Sequence, residues 1–83
     1  MYEILLLAPA QKDLDKLEAK TFGRILGRIR ALRDDAGPAG CLKLTDENGY
    51  RLRVGDYRIL YRIDDAGRRV YIYRVKHRKD AYS

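Results

Sequence analysis

The chain has 83 residues and a formal net charge of +6, with a single cysteine and a single histidine. Cys41 has no partner for an internal disulfide, and Cys41 with His77 is too small a set for a zinc site. We therefore expect neither a metal nor a cofactor. The chain has no long apolar run and no basic leader, which predicts a cytoplasmic protein without a membrane segment. Its length predicts one domain over residues 1–83.

The excess positive charge lies in the C-terminal part of the chain. Residues 1–49 contain equal numbers of acidic and basic side chains, eight of each, whereas residues 50–83 contain ten Lys or Arg and four acids. Six of the seven tyrosines also lie in residues 50–83. Arginine, which is commoner than lysine there, favours planar and bidentate contacts with phosphate. A basic segment interleaved with tyrosines therefore indicates a polyanionic ligand, of which nucleic acid is the commonest.

The N-terminal half predicts one strand followed by two helices. Residues 2–8 are almost all apolar and end before Pro9, which is typical of a strand partly covered on both faces. A short helix is expected over residues 11–18. Apolar residues then recur at helical spacing over residues 22–32, with Thr21 as the expected N-cap. The two helices should form a hairpin.

The C-terminal half predicts strands joined by turns. After a loop over residues 34–40, a short segment at 42–44 and an Asn-Gly turn, strands are expected over residues 50–54, 57–63 and 69–75. In the last strand, strict alternation puts Val70, Ile72 and Arg74 on one face. The order predicts an α+β fold. In it the N-terminal strand and an antiparallel meander of three to four strands form one sheet, with the helical hairpin on one face.

The alternation also brings arginines together. Arg51 and Arg53 are two residues apart on a strand, so their side chains emerge on the same face about 7 Å apart. If residues 55–56 form a tight turn, Arg58 on the next strand faces the same surface. The alternative is a solvated face whose arginines cover apolar surface and pair with carboxylates. Four acids cannot neutralise ten cations, and this imbalance favours a polyanionic ligand.

Two runs resemble the RelE/ParE superfamily of bacterial and archaeal toxin–antitoxin toxins: YRLRVGDYRILYRI at residues 50–63 and VKHRKDAY at residues 75–82. The run LAPAQKDL at residues 7–14 and the Gly-Pro loop before Lys43 also match, so the resemblance covers nearly the whole chain. It implies a RelE-like toxin that acts in the ribosome as a metal-independent mRNA endoribonuclease. It also implies an acidic antitoxin as partner, in a toxin–antitoxin heterotetramer.

The resemblance implies roles for individual residues. The implied catalytic residues are Arg51, Arg53, Arg58, Arg78 and Tyr82, and the implied additional RNA contacts are Arg62, Arg74, Lys76, His77 and Lys79. The expected reaction is attack of a ribose 2′-hydroxyl on the adjacent phosphate.

The best-known member of the family has lysines in place of Arg51 and Arg53, and arginine does not release its proton. The proton acceptor is therefore left open among Tyr82, His77 and a ribosomal group. Catalysis that is mainly electrostatic is a further alternative. Tyr82 is equally consistent with stacking or proton transfer and with tethering the tail to the sheet.

Two other functions fit the same sequence. A ParE-like toxin binds and inhibits DNA gyrase without cutting RNA, and a catalytically inactive module binds RNA or ribosomes only. Converging arginines favour the nuclease, because a gyrase binder has no need for converging phosphate ligands.

Overall fold

The computed structural model of the protein describes residues 1–38, 41–44 and 49–81. Within these residues the chain forms strands and helices in the order β1 (Glu3–Leu6), α1 (Ala8–Asp15), α2 (Ala19–Ala31), β2 (Cys41–Lys43), β3 (Gly49–Val54), β4 (Tyr57–Asp64), β5 (Arg69–His77) and α3 (Arg78–Ala81). The α+β class expected from the sequence is confirmed.

The strands form one sheet in the order β1-β5-β4-β3-β2. Strands β2 to β5 are antiparallel neighbours, whereas β1 runs parallel to β5, with Glu3 opposite Arg69 and Leu6 opposite Ile72. Because β1 ends at Leu6, the outer edge of β5 beyond Ile72 has no strand beside it in the described residues. Helix α1 begins at this point and packs against β5.

The core lies between the helices and one face of the sheet. Helix α1 contributes Ala10 and Leu14, and α2 contributes Ile25 and Ile29. The sheet contributes seven buried apolar or aromatic side chains: Leu52, Val54, Ile59, Tyr61, Val70, Ile72 and Val75. None of the described helices is long and apolar enough to cross a membrane.

A buried tyrosine anchors the segment after α2 to the sheet. Tyr61 is fully buried, stacks on Tyr50 with ring centroids 5.6 Å apart, and donates a hydrogen bond from its hydroxyl to the carbonyl of Ala36 at 2.9 Å. Burial raises the pKa of the Tyr61 phenol, and the proximity of Cys41 raises it further. The hydroxyl therefore stays protonated and continues to donate.

Both helices begin earlier than the sequence predicted. Helix α1 starts at Ala8, because Pro9 has a φ suited to the first turn and no backbone N–H to lose there. The prediction of Thr21 as N-cap of the second helix is wrong, since Glu18 occupies that position. Thr21 lies inside α2 and donates a hydrogen bond to Glu18 Oε1 at 3.2 Å.

Strand β5 contains a bulge that the alternation did not predict. Tyr61 lies opposite Ile72 and Leu60 lies opposite Arg74, so Tyr73 is an extra residue. An extra residue reverses the alternation beyond it. The prediction that Arg74 shares a face with Ile72 is therefore wrong, and it is Val75 that returns to the core.

Candidate functional site

Three cationic side chains lie side by side across the sheet. Arg53 in β3 is opposite Arg58 in β4, and Arg58 is opposite Lys76 in β5. We call these residues the arginine row. They lie on the face away from α1 and α2, since the alternate residues of the same strands form the core. The turn between β3 and β4 is tight, and Gly55 occupies its left-handed position with φ of 59°.

Arg58 is the buried member of the arginine row. It is only 6% exposed, and its Nη1 donates a hydrogen bond to the carbonyl of Tyr57 at 3.1 Å. Among the side chains that the structure describes, which end at Lys79, the ion pairs are Arg69–Glu3 and Arg74–Asp13, so Arg58 has no carboxylate partner among them. A buried charge without a counter-charge is unfavourable. The arrangement therefore favours binding of an external anion.

Two more arginines reach the turn between β3 and β4. The backbone N–H of Arg78, at the start of α3, donates to the carbonyl of Asp56 at 2.6 Å. The guanidinium of Arg24, on α2, lies against Gly55, where an added β-carbon would be 3.0 Å from Arg24 Nη1. Arg24 was not among the residues predicted from the sequence, because it lies on a helix and is distant from the strands along the chain. The glycine before Asp56 was the available signal for a close approach at this turn.

Arg74 is engaged in a structural contact. Its Nε and Nη2 donate to the two carboxylate oxygens of Asp13 at 2.8 and 3.2 Å, and the backbone N–H of Val75 donates to the same carboxylate at 2.9 Å. Asp13 thus joins α1 to the open edge of β5. Partial burial alone would raise the pKa of the Asp13 carboxyl, but the hydrogen bonds from Arg74 and Val75 together outweigh burial and hold that pKa below its usual range.

His77 lies on the helix side of the sheet. It is opposite Tyr57 in the ladder and makes an edge-on ring contact with it, with centroids 5.2 Å apart. Its Nδ1 accepts a hydrogen bond from the backbone N–H of Lys79 at 3.2 Å. The ring is therefore separated by the sheet from Arg53 and Arg58.

The remaining predicted residues have separate positions. Arg51 lies on the same face as the arginine row, two residues along β3, and is opposite Leu60. Arg62 also lies on that face, and its guanidinium is 5.8 Å from the ring centroid of Tyr73. Lys79 is exposed in α3. The predicted role of Tyr82 falls outside the described residues.

Candidate metal ligands do not converge in the part of the chain that the structure describes. No three His, Cys, Asp or Glu side chains there lie close enough together to hold a metal ion. The concentrated charge in this part of the sheet is cationic, and the ligand it suits is an anion.

Comparison of the chain with known protein families gives a match over nearly its whole length. Residues 4–82 match the family model described as the ParE toxin of the type II toxin–antitoxin system parDE. A search of curated protein sequences gave no match.

Solved structures of toxins and their complexes are also similar. The RelBE2 toxin–antitoxin complex of Mycobacterium tuberculosis contains a chain 30% identical to this one, with a TM-score of 0.81, covering 92% of this chain and 96% of that one. For the archaeal RelE–RelB complex of Pyrococcus horikoshii, the identity is 25%, the TM-score 0.84, and the coverage 93% and 94%. The isolated RelE toxin of Escherichia coli is 16% identical to this chain with a TM-score of 0.80, and the match covers 99% of this chain and 96% of that one. At this identity the similarity supports the fold alone. The chain therefore belongs to the RelE/ParE superfamily of toxins of type II toxin–antitoxin systems.

Proposed function

We propose that this toxin is a cytoplasmic, ribosome-dependent mRNA endoribonuclease formed by one domain over residues 1–83. The observation that carries the proposal is the burial of Arg58, between two further cations of the arginine row, without a carboxylate partner among the side chains that the structure describes. A phosphodiester supplies the missing negative charge. Its two non-bridging oxygens suit the planar donors of a guanidinium.

The proposed reaction is an internal transfer at phosphorus. The ribose 2′-oxygen attacks the adjacent phosphorus and loses its proton to a base, while the bond from phosphorus to the 5′-oxygen breaks and that oxygen takes up a proton. The products are a 2′,3′-cyclic phosphate and a 5′-hydroxyl. Negative charge grows on the phosphoryl oxygens in the transition state, where Arg53, Arg58 and Lys76 stabilise it. Arg51 and Arg78 extend the cationic surface along β3 and at the start of α3.

The position of His77 narrows the choice of proton acceptor. His77 is separated from Arg58 by the sheet, and arginine does not lose its proton at neutral pH. We therefore assign proton transfer to Tyr82 or to a group of the ribosome. Arg24 adds a phosphate contact beside the turn, whereas Arg74 acts structurally through Asp13.

The test is cleavage of message by the purified protein on translating ribosomes, with 5′ ends mapped and cyclic phosphate detected on the upstream fragment. Arg53→Gln should lower the cleavage rate by at least about tenfold, as expected for loss of a contact to the transition state. Arg30→Gln, which removes the same charge from an exposed position of α2, is the matched control. Intact message with the wild-type protein would refute the proposal.

A ParE-like inhibitor of DNA gyrase is the second candidate, because the family model that matches residues 4–82 is that of ParE. This activity would leave message intact and would instead inhibit supercoiling of plasmid DNA by purified gyrase. Both assays can be run on one preparation. Supercoiling inhibition that survives Arg53→Gln, with no cut message, would favour this second candidate.

The proposed partner is an acidic antitoxin. Two of the similar structures are complexes of a RelE-type toxin with its antitoxin. The net charge of +6 would favour association with an acidic chain, in the heterotetramer that the resemblance implies. The assembly is tested by determining whether an adjacent reading frame encodes a short acidic protein, co-expressing that protein with the toxin, and measuring the mass of the purified complex.

A further inference from the structure

The bulge at Tyr73 in β5 decides which cation lies beside Arg58. Ile72 and Val75 both face the core although they are three residues apart, because Tyr73 is an extra residue in the ladder. Regular alternation from Ile72 would turn Lys76 toward the helices. With the bulge, Lys76 lies opposite Arg58 on the face away from α1 and α2. The arginine row therefore includes Lys76 only while β5 keeps its bulged register.

The part of β5 that follows the bulge is held at its edge by Asp13. The backbone N–H of Leu7 donates to the carbonyl of Ile72 at 2.9 Å, and beyond that bond no strand lies beside β5 in the described residues. The Asp13 carboxylate takes the place of a neighbouring strand. It accepts hydrogen bonds from the N–H of Val75 at 2.9 Å and from Nε and Nη2 of Arg74 at 2.8 and 3.2 Å. One side chain thus fixes the two residues that come directly before the last cation of the row.

Helix α1 holds Asp13 at this place. Ala10 and Leu14 are 0% and 1% exposed, so the helix cannot shift along β5 without disturbing the core. The Asp13 side chain is itself only 13% exposed. The other carboxylate of α1, Asp15, is exposed and accepts a hydrogen bond from Gln11 of the same helix at 3.0 Å. The two acids of α1 therefore differ in role, and Asp13 is the one that contacts the sheet.

Asp13 also determines where the charge of Arg74 lies. Arg74 is two residues before Lys76 on the same face, and the two side chains leave the strand about 7 Å apart. The ion pair draws the guanidinium of Arg74 to the edge of the sheet and neutralises it. A released guanidinium would instead be a mobile cation beside Lys76, where it would compete for the phosphate. The ion pair therefore keeps the charge of Arg74 out of the arginine row.

We propose that Asp13 is a positioning residue for RNA cleavage, which holds the end of β5 so that Lys76 stays opposite Arg58 and Arg74 stays at the edge. The inference rests on the proposed nuclease function and extends it to a residue of α1 that does not touch the substrate. Loss of the Asp13 charge should slow the chemical step and at the same time release a cation that can bind RNA. Slower cleavage together with tighter binding is a combination that a purely structural role would not produce.

The first experiment measures rate and affinity separately for the full-length protein. The rate is that of single-turnover message cleavage on translating ribosomes at saturating toxin. The affinity is measured on ribosomes whose message carries 2′-deoxyribose in the codon that the wild type cuts, so that no cleavage occurs. Asp13→Asn should lower the rate about tenfold, as expected for a misplaced transition-state contact, and should tighten binding two- to threefold, roughly the factor for one exposed ion pair.

Asp15→Asn is the matched control, because it removes the same charge from an exposed position of the same helix. It should leave both rate and affinity unchanged. Circular dichroism at the assay temperature verifies that each variant is folded. If Asp13→Asn is not, Asp13→Glu replaces it, which keeps the charge but moves it by one methylene and should also slow cleavage. A wild-type rate for the folded Asp13 variant, or slower cleavage by Asp13→Asn with weaker binding, would overturn the proposal.

The second experiment is a double-mutant cycle with Lys76→Gln. Because Asp13 acts mainly through the position of Lys76, Asp13→Asn should slow cleavage less than about threefold in the Lys76→Gln background. The full tenfold effect in that background would contradict the inference. Absence of cleavage by the wild type contradicts the proposed function, whereas cleavage by the wild type with additive effects of the two substitutions contradicts only the role of Asp13.

Discussion

Replacing Arg58 by methionine should remove activity and at the same time stabilise the fold. Arg58 is 6% exposed, its side-chain hydrogen bond goes to the carbonyl of Tyr57, and its neighbours in the ladder are Arg53 and Lys76. Like charges on directly opposite residues of a sheet destabilise it. Methionine keeps an unbranched apolar stem but carries no charge, so Arg58→Met relieves both the burial of the charge and the repulsion.

The expected gain follows from two opposing contributions. Loss of the hydrogen bond to Tyr57 costs about 1.5–3 kcal/mol, because the donor is charged. Removing a buried charge that has no counter-charge recovers several kcal/mol of desolvation. The net stabilisation should be about 1–2 kcal/mol, which corresponds to an increase in Tm of roughly 5–15 °C for a domain of this size.

Thermal unfolding by circular dichroism and cleavage of message on translating ribosomes test the two effects together. Arg30→Met is the matched control for stability, because Arg30 is exposed on α2, outside the sheet, and its replacement should change the free energy of unfolding by less than about 0.5 kcal/mol. A lower Tm for Arg58→Met would mean that the guanidinium stabilises the fold. In that case the burial of Arg58 would no longer support binding of an external anion.

Three further predictions follow from contacts outside the buried arginine. Asp13→Asn should lower the free energy of unfolding by about 2 kcal/mol in urea titrations at pH 7, through loss of charge-assisted hydrogen bonds. The pKa of Asp13 is lowered in the folded state, so the stabilisation by its carboxylate is complete above the unfolded pKa of about 3.9 and is lost as pH falls through the folded pKa. The free energies of unfolding of wild type and Asp13→Asn should therefore become equal in acid. Arg24→Ala should reduce the rate of message cleavage several-fold, because it removes the proposed phosphate contact beside Gly55, whereas Arg28→Ala, one turn along α2, should not. Equal cleavage rates for the two variants would contradict that phosphate contact. Tyr61→Phe should lower the free energy of unfolding by about 1 kcal/mol in thermal unfolding, because it removes the buried hydrogen bond to the carbonyl of Ala36. Unchanged stability would contradict this prediction.

The parts of the fold that depend on local pattern could be predicted from the sequence. Alternation from Tyr50 to Val54 and the Gly55-Asp56 turn were sufficient to place Arg53 and Arg58 on one surface, and the register of β3 and β4 has them opposite each other. Periodicity was likewise sufficient to find both helices. These features depend on neighbours within a few residues, and such neighbours are visible in the chain.

The features that the sequence did not predict depend on distant contacts. The bulge at Tyr73 exchanges the faces of Arg74 and Val75, and no local residue preference marks it. The pairing of Arg74 with Asp13 joins residues 61 positions apart. The side of the sheet on which His77 lies depends on that same bulge, so its distance from Arg58 could not be inferred from alternation.

The parallel pairing of β1 with β5 determines when this protein can complete its fold during synthesis. Glu3 and Arg69 are 66 residues apart, so the backbone groups of β1 have no strand to pair with until β5 has been synthesised. Until then the apolar segment around Leu5 has no edge to join. A nascent chain that has not reached Ile72 therefore lacks the five-stranded sheet, and a truncated product that ends before that residue has no complete β5 edge on which β1 can pair.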